Sequence, residues 1–386
     1  MKKNNLPTPM ILVDQDILDH NINKYQTACD INKKQLWPMI KTHKSTSIAK
    51  MQLQAGAKGF LCGTLDECEI LVNAGITDIM YAYPVATQPS IDRIIELRRK
   101  SNIILRIDGL EAAELVNDVA KKAELLVDYT IIVNSGLNRL GINPTRTAQF
   151  ARAMESFESL RFRGISTHPG HVYAATESRD VLKYAMEEVE ALKIAADLLR
   201  GEGFEVEIIT TGSTPTFSHA VVDNNIDILH PGNYVFHDVM QMALGVATEG
   251  ECALTILASV ISNPEPGIFI IDAGSKSLGL DKGAHGNTSI KGYGIIKQQP
   301  GSEIISLSEE VGKISVSINS ELSVGDKIEI IPNHACITTN LTSRLITCRA
   351  EVVSGEIEID MRGNSQYYPI DKQKKPCNIR VSKVFI

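Results

Sequence analysis

Between residues 36 and 230, short apolar runs alternate with longer stretches in which apolar positions recur at helical spacing. A short continuous apolar run reads as a strand buried on both faces, and recurrence at i, i+3 and i+4 reads as an amphipathic helix. The pattern predicts strands over 36–40, 59–61, 78–80, 103–105, 130–133, 162–165, 206–210 and 226–229. Helices separate them, such as those over 45–55, 65–73, 89–100 and 179–201. Strand and helix in strict turn imply parallel strands joined by crossover helices. Eight such strands allow a closed (β/α)8 barrel, with a doubly wound open sheet as the competing arrangement. After about residue 245 the pattern changes. Segments 253–261, 267–272, 327–331 and 344–353 read as strands separated by Gly, Asn and Pro, with no long amphipathic stretch between them. The expected fold is therefore α/β: a (β/α)8 barrel over 18–245 and a second, mostly β domain over 246–386. The early strand 10–14 is spare in the barrel count, so 1–17 is expected to join the β domain. No internal repeat or low-complexity segment is evident.

Composition narrows the function. A chain of 386 residues exceeds the usual size of one domain, in keeping with two. The net charge of −7 and the lack of a Lys/Arg stripe interleaved with aromatics argue against a nucleic-acid partner. The opening MKKNNLPTPM has no apolar run behind it, so no secretory signal is expected, and no stretch is apolar enough to span a bilayer. The seven cysteines (Cys29, Cys62, Cys68, Cys252, Cys336, Cys348 and Cys377) are scattered and form no CxxC pair. A disulfide scaffold is not expected, and a reducing cytoplasm fits.

Chemistry in a β/α barrel sits at the C-terminal ends of the strands. Those ends carry Lys41 and His43, then Tyr83, Arg106, Asn134 to Arg139, and His168 to Tyr173. Gly212-Ser213-Thr214 follows the seventh strand and Pro231-Gly232-Asn233-Tyr234 the eighth. Gly-rich turns at these two places commonly bind phosphate, because glycine lets backbone N–H groups come close to the oxygens. Lys41, in WPMIKTHKS, faces the barrel mouth in this register. A strand-end lysine by itself is commonly structural. Beside two phosphate turns, a partly desolvated lysine suits attack on an aldehyde. Lys44 is expected to face solvent where the next helix starts.

A second candidate lies in the β domain. His334-Ala335-Cys336 follows an apolar strand, and residues i and i+2 of an extended segment point to one side. Nitrogen and sulfur donors together favour Zn²⁺ over Mg²⁺ or Ca²⁺. A buried cysteine next to a hydrogen-bonded loop histidine would account for the same three residues.

Eight motifs carry a family resemblance: TPMILVD (8–14), KTHKS (41–45), QLQAGAKGF (52–60), NSGLNRLG (134–141), GSTPT (212–216), PGNYVF (231–236), DAGSK (272–276) and PNHAC (332–336). In these, and in their order, the sequence resembles the fold-type III (alanine racemase-like) pyridoxal 5′-phosphate enzymes. Within that group it is similar to the D-serine dehydratase and D-threonine aldolase-like family. The resemblance implies that Lys41 carries pyridoxal 5′-phosphate covalently. Arg139 then lies near the cofactor's phenolic oxygen and Tyr173 near its pyridine nitrogen. Gly212, Ser213, Thr214, Gly232 and Asn233 form the phosphate cradle, and Tyr234 either points into the mouth or packs there.

The same resemblance makes His334 and Cys336 the ligands of Zn²⁺ or another divalent metal. His-x-Cys is the dehydratase pattern, whereas well-known aldolases have His-x-Asp. It also implies a homodimer with shared active sites. His43, His168 and His171 either line the site or are hydrogen-bonded loop residues. His20, His219, His230, His237 and His285 carry no signal.

The implied activity is dehydration of a D-3-hydroxy amino acid, D-serine or D-threonine, to a 2-oxo acid and ammonia. Lys41 would take the α-proton and the metal would bind the β-hydroxyl. D-threonine aldolase, yielding glycine and an aldehyde, is the alternative. An amino-acid racemase, which needs no metal, and a non-catalytic cofactor-binding protein, which resembles the barrel alone, rank lower.

Overall fold

The structure, a computed structural model, describes residues 1–282, 289–317 and 320–362. Cys377 and His285 lie outside the described residues.

The alternating half forms an eight-stranded parallel sheet. Its order is Gln35–Leu36, Ile228–Leu229, Ile208–Thr211, Leu160–Ser166, Val127–Ile132, Asn102–Ile107, Asp78–Tyr81 and Phe60–Cys62. The two end strands meet: Met39 bridges Leu61 in parallel, Lys58 N donates to Leu36 O, and Leu61 N donates to Pro38 O. The sheet is thus closed into a barrel, and the open-sheet alternative falls. Residues alternate along each strand. Ile79 and Ile103 pack outward into the core shared with the helices, while Met80 and Ile104 join Trp37, Met39 and Leu61 inside the ring.

Two local signals set the helices around this ring. Asp14 caps Gln15–Ile31 by accepting from Asp16 N and Ile17 N. Thr64 and Glu67 form a reciprocal capping box on Leu65–Asn73. No helix among the described residues is long and apolar enough to cross a membrane.

The first strand is shorter than expected. Its ladder covers Gln35–Leu36 with a further bridge at Met39, and Ile40–Thr42 is a 3₁₀ turn. Pro38 has no N–H to offer a ladder, which breaks the pairing. Lys41 therefore sits on a tight turn just past the strand.

The remaining strands form a second sheet, mostly antiparallel, that includes the N-terminus. Met10–Asp14 pairs antiparallel with Leu254–Glu265 and parallel with Arg344–Arg349, so the spare strand lies where the strand count put it. Among the described residues the α-helices inside this region are short, Ser275–Leu278 and Ala335–Asn340.

Candidate active site

One cavity opens at the C-terminal mouth of the barrel, with a volume of about 750 Å³ counted out to solvent. This is in the range of sites that hold a cofactor-sized ligand. Lys41, Arg139, Tyr173, Gly212, Ser213, Thr214, Gly232, Asn233, His334 and Cys336 all reach it. These residues come from both halves of the chain, and most are far apart in sequence.

The two Gly turns stand side by side. A Cβ on Gly212 would come within 2.5 Å of His230 N, and one on Gly232 within 2.9 Å of Thr42 Oγ1. Only glycine permits these approaches. Thr214 Oγ1 accepts from Tyr234 N at 3.1 Å and so ties the second turn to the first. Among the described residues, the backbone N–H groups of Gly212, Ser213, Thr214 and Gly232 have no hydrogen-bond partner. Free amides gathered at one end of a cavity make an anion cradle.

Cations face this cradle. Lys41, Arg106 and Arg139 line the cavity, and among the described residues no Asp or Glu does. Arg106 is buried, donates from Nε to Ser166 Oγ at 2.8 Å, and keeps Nη2 without a partner. Arg139 is exposed and lies 5.8 Å from the centroid of the Tyr83 ring.

Two histidines in the wall are neutral. His168 approaches Gly212 O through Nδ1 at 3.1 Å; burial, Lys41 and other nearby cations hold its pKa well below the usual value. His230 meets Trp37 O through Nδ1 at 2.8 Å, and its buried Nε2 has no partner. Burial pushes the His230 ring down to about 3. An Nδ1–H donated to a carbonyl fixes Nε2 as an acceptor.

The metal-type pair is built differently from the extended geometry expected above. His334 is the residue before helix Ala335–Asn340, and Cys336 lies in the helix's first turn. The N-terminal turn nevertheless brings imidazole and thiol into hydrogen-bonding reach of each other. His334 Nδ1 is 2.6 Å from Asp281 Oδ2, which orients the ring. Cys336 Sγ lies 3.3 Å from Thr42 Oγ1 and 3.9 Å from Asn233 Nδ2. Although burial opposes charge on both, their mutual attraction draws the thiol down and the imidazole up, with Lys41 and Asp281 helping. Among the described residues no cluster of three or more His, Cys, Asp or Glu side chains could hold a metal.

Tyr173 lines the cavity on a 3₁₀ turn, Gly170–Ala174. Burial pushes its phenol well up, the charges of Cys336 and Asp238 add to this, and a hydrogen bond with Gln241 opposes it. It remains a neutral donor.

The alternatives left open for three side chains fall on the packing side, and the expectation for Lys44 does not hold. Tyr234 is fully buried away from the cavity, with its Oη accepting from Gln52 Nε2 at 2.9 Å and its ring stacked on Tyr25. His43 is buried against Gln52, and His171 packs edge-on to Tyr184, so neither lines the site. Lys44 does not face solvent. A left-handed backbone at this residue turns its side chain inward, where Nζ pairs with Glu67 at 2.7 Å. Thr42 and His230 were missed, although Thr42 adjoins Lys41 and His230 begins the second Gly turn.

Comparison with known proteins agrees with this arrangement. Residues 13–239 match the family described as alanine racemase, N-terminal domain, and residues 253–348 match one described as a serine dehydratase domain. The chain is 28% identical over 370 residues to D-serine dehydratase of Dictyostelium discoideum, covering 88% of this chain and 93% of that one. It is also 28% identical over 371 residues to D-threonine aldolase of Arthrobacter sp., covering 93% of each. The solved D-threo-3-hydroxyaspartate dehydratase from Delftia sp. HT23 superposes with a TM-score of 0.85 at 28% identity, covering 92% of this chain and 98% of that one. With 13–239 spanning more than half of its length, the chain belongs to the alanine racemase N-terminal domain family.

Proposed function

We propose that this chain is a pyridoxal 5′-phosphate- and metal-dependent lyase of D-3-hydroxy amino acids, acting as a dehydratase of D-serine or D-threonine. The observation that carries the reading is that Lys41, two Gly turns and the His334–Cys336 pair share one cavity. The cavity suits the cofactor on three counts. Among the described residues, the amides of both turns are unbonded, Arg106 Nη2 and His230 Nε2 lack partners, and the Lys41 amine stands among cations with no carboxylate lining the cavity. An imidazole backed by a carboxylate, next to a thiol whose pKa is drawn down, suits Zn²⁺.

Pyridoxal phosphate, when bound, supplies an electron sink that acidifies the Cα–H of an amino acid. A divalent ion held by His334 and Cys336 would supply Lewis acidity to a hydroxyl oxygen. Lys41 holds the cofactor and, as a free amine, takes the Cα proton at Nζ. Arg139 and Arg106 face the developing negative charge. Tyr173 would offer a neutral phenol to the pyridine nitrogen, and the Gly212–Thr214 and Gly232–Asn233 amides would hold the phosphate. The β-hydroxyl departs as water, and hydrolysis of the remaining enamine gives a 2-oxo acid and ammonia. A homodimer with shared active sites is part of the same proposal, as the resemblance implies.

Retro-aldol cleavage is the second reading, because relatives of both names match over most of the chain. Cys336 in place of Asp favours elimination. Incubation of D-serine and D-threonine with the holoenzyme, with and without chelator, separates the readings. A 2-oxo acid and ammonia, lost with chelator, are expected. Glycine plus acetaldehyde would establish the aldolase, and an inverted amino acid insensitive to chelator would establish a racemase.

A further inference from the structure

Behind the first phosphate turn lies a carboxyl group that the chemistry above leaves unused. Glu188 sits in the middle of helix Ser178–Gly201 and is fully buried. Thr211 Oγ1 donates to its Oε1, Thr216 is its second hydrogen-bonding neighbour, and Oε2 is buried without a partner. Thr211 and Thr216 flank Gly212-Ser213-Thr214 and are themselves buried. Ser213 Oγ lies 3.0 Å from Thr216 Oγ1 and accepts from Thr216 N at 3.3 Å. A single side chain is thus connected to both ends of the turn.

The surroundings favour the acid form. Burial pushes the Glu188 carboxyl up to about 7, although the Thr211 and Thr216 hydroxyls pull it down. No charged neighbour contributes. A carboxylate here would be an unpaired charge in a dry layer next to a phosphate site, which disfavours ionisation on both counts. The Glu188 carboxyl meets the turn as an acceptor of the threonine hydroxyls.

We propose that Glu188 is a positioning residue for phosphate recognition: by bridging Thr211 and Thr216 it holds the Gly212–Thr214 backbone in the shape that grips a phosphate monoester. The proposal rests on the reading of this cavity as a pyridoxal phosphate site.

The test is equilibrium binding of pyridoxal 5′-phosphate and of pyridoxal to the apoprotein, followed by quenching of Trp37, the single tryptophan. E188Q keeps an accepting oxygen without charge, and is expected to bind the phosphate ester within about twofold of the parent. E188A is expected to bind it about tenfold more weakly. Both should bind pyridoxal as the parent does, because only the phosphate contacts the turn. T216V cuts the same connection with little change in bulk and should also weaken the ester alone, which keeps the test open if E188A does not fold. Equal loss of both ligands, unchanged ester affinity in E188A and T216V, or E188Q as weak as E188A would overturn the proposal. A parent protein that binds neither ligand would instead overturn the cofactor reading on which it rests.

Discussion

Cys336 Sγ lies 3.3 Å from Thr42 Oγ1, although 294 positions separate the two residues. Thr42 follows Lys41 directly, so this contact joins the amine-bearing turn of the barrel to the metal-type pair of the β domain. Three further hydrogen bonds lie at the same junction. Thr339 Oγ1 donates to Thr42 O at 2.6 Å, and Asn233 Nδ2 reaches both Asp238 Oδ2, at 2.6 Å, and Cys336 Sγ. Cys336 is positioned by the same turn that positions Lys41, so disturbing the turn should register at the metal.

Thr42→Val keeps the bulk and removes the hydroxyl beside the thiol. It is expected to lower zinc affinity about tenfold, the usual scale for an outer partner of a metal ligand. Competition against a chromophoric chelator measures this.

Asp281→Ala removes the carboxylate 2.6 Å from His334 Nδ1. Zinc affinity should fall between about tenfold and a hundredfold. Asp281→Asn retains an acceptor and should fall between Asp281→Ala and the parent in the same titration.

The Lys44–Glu67 pair is buried, with side-chain exposures of 7% and 0%, and Glu67 also accepts from Gly63 N and Thr64 N. Lys44→Met leaves an unpaired buried carboxylate and should cost about 3 kcal/mol. Glu67→Gln added to Lys44→Met removes that charge and should recover part of the loss. Urea midpoints of the two variants and the parent test the order.

Burial pushes the His43 imidazole down to about 3 despite its hydrogen bonds with Gln52 and Ser45 N. At and above neutral pH, the ring is uncharged in the folded and unfolded chain alike, so it adds no pH dependence. As pH falls below the ordinary value of 6.5, the unfolded chain takes up a proton that the folded ring refuses, and stability declines towards about pH 3. The urea midpoint should therefore drop between pH 7 and about pH 5, and drop less in His43→Gln.

Much of this architecture could be read from the pattern of residues. Alternating apolar runs located the barrel strands, and the spare strand 10–14 was expected to join the second sheet, as it does. Lys41 and the Gly turns are brought together because strand ends of a closed barrel must share a mouth. What eluded the sequence depended on backbone direction or on distant partners. The inward turn of Lys44 follows from its left-handed backbone. Tyr234 and His43 are captured by Gln52, a residue with no chemical signal of its own. The helical setting of Cys336 was hidden because His-x-Cys brings its donors together in an extended segment or at a helix start.

The claim that Lys41 carries the cofactor is tested most directly by borohydride reduction of the loaded protein, which fixes a carbonyl carbon to the amine that holds it, followed by peptide mapping. The added pyridoxyl phosphate mass is expected on Lys41 alone. Label on Lys44 or another lysine, or no label at all, would contradict that assignment.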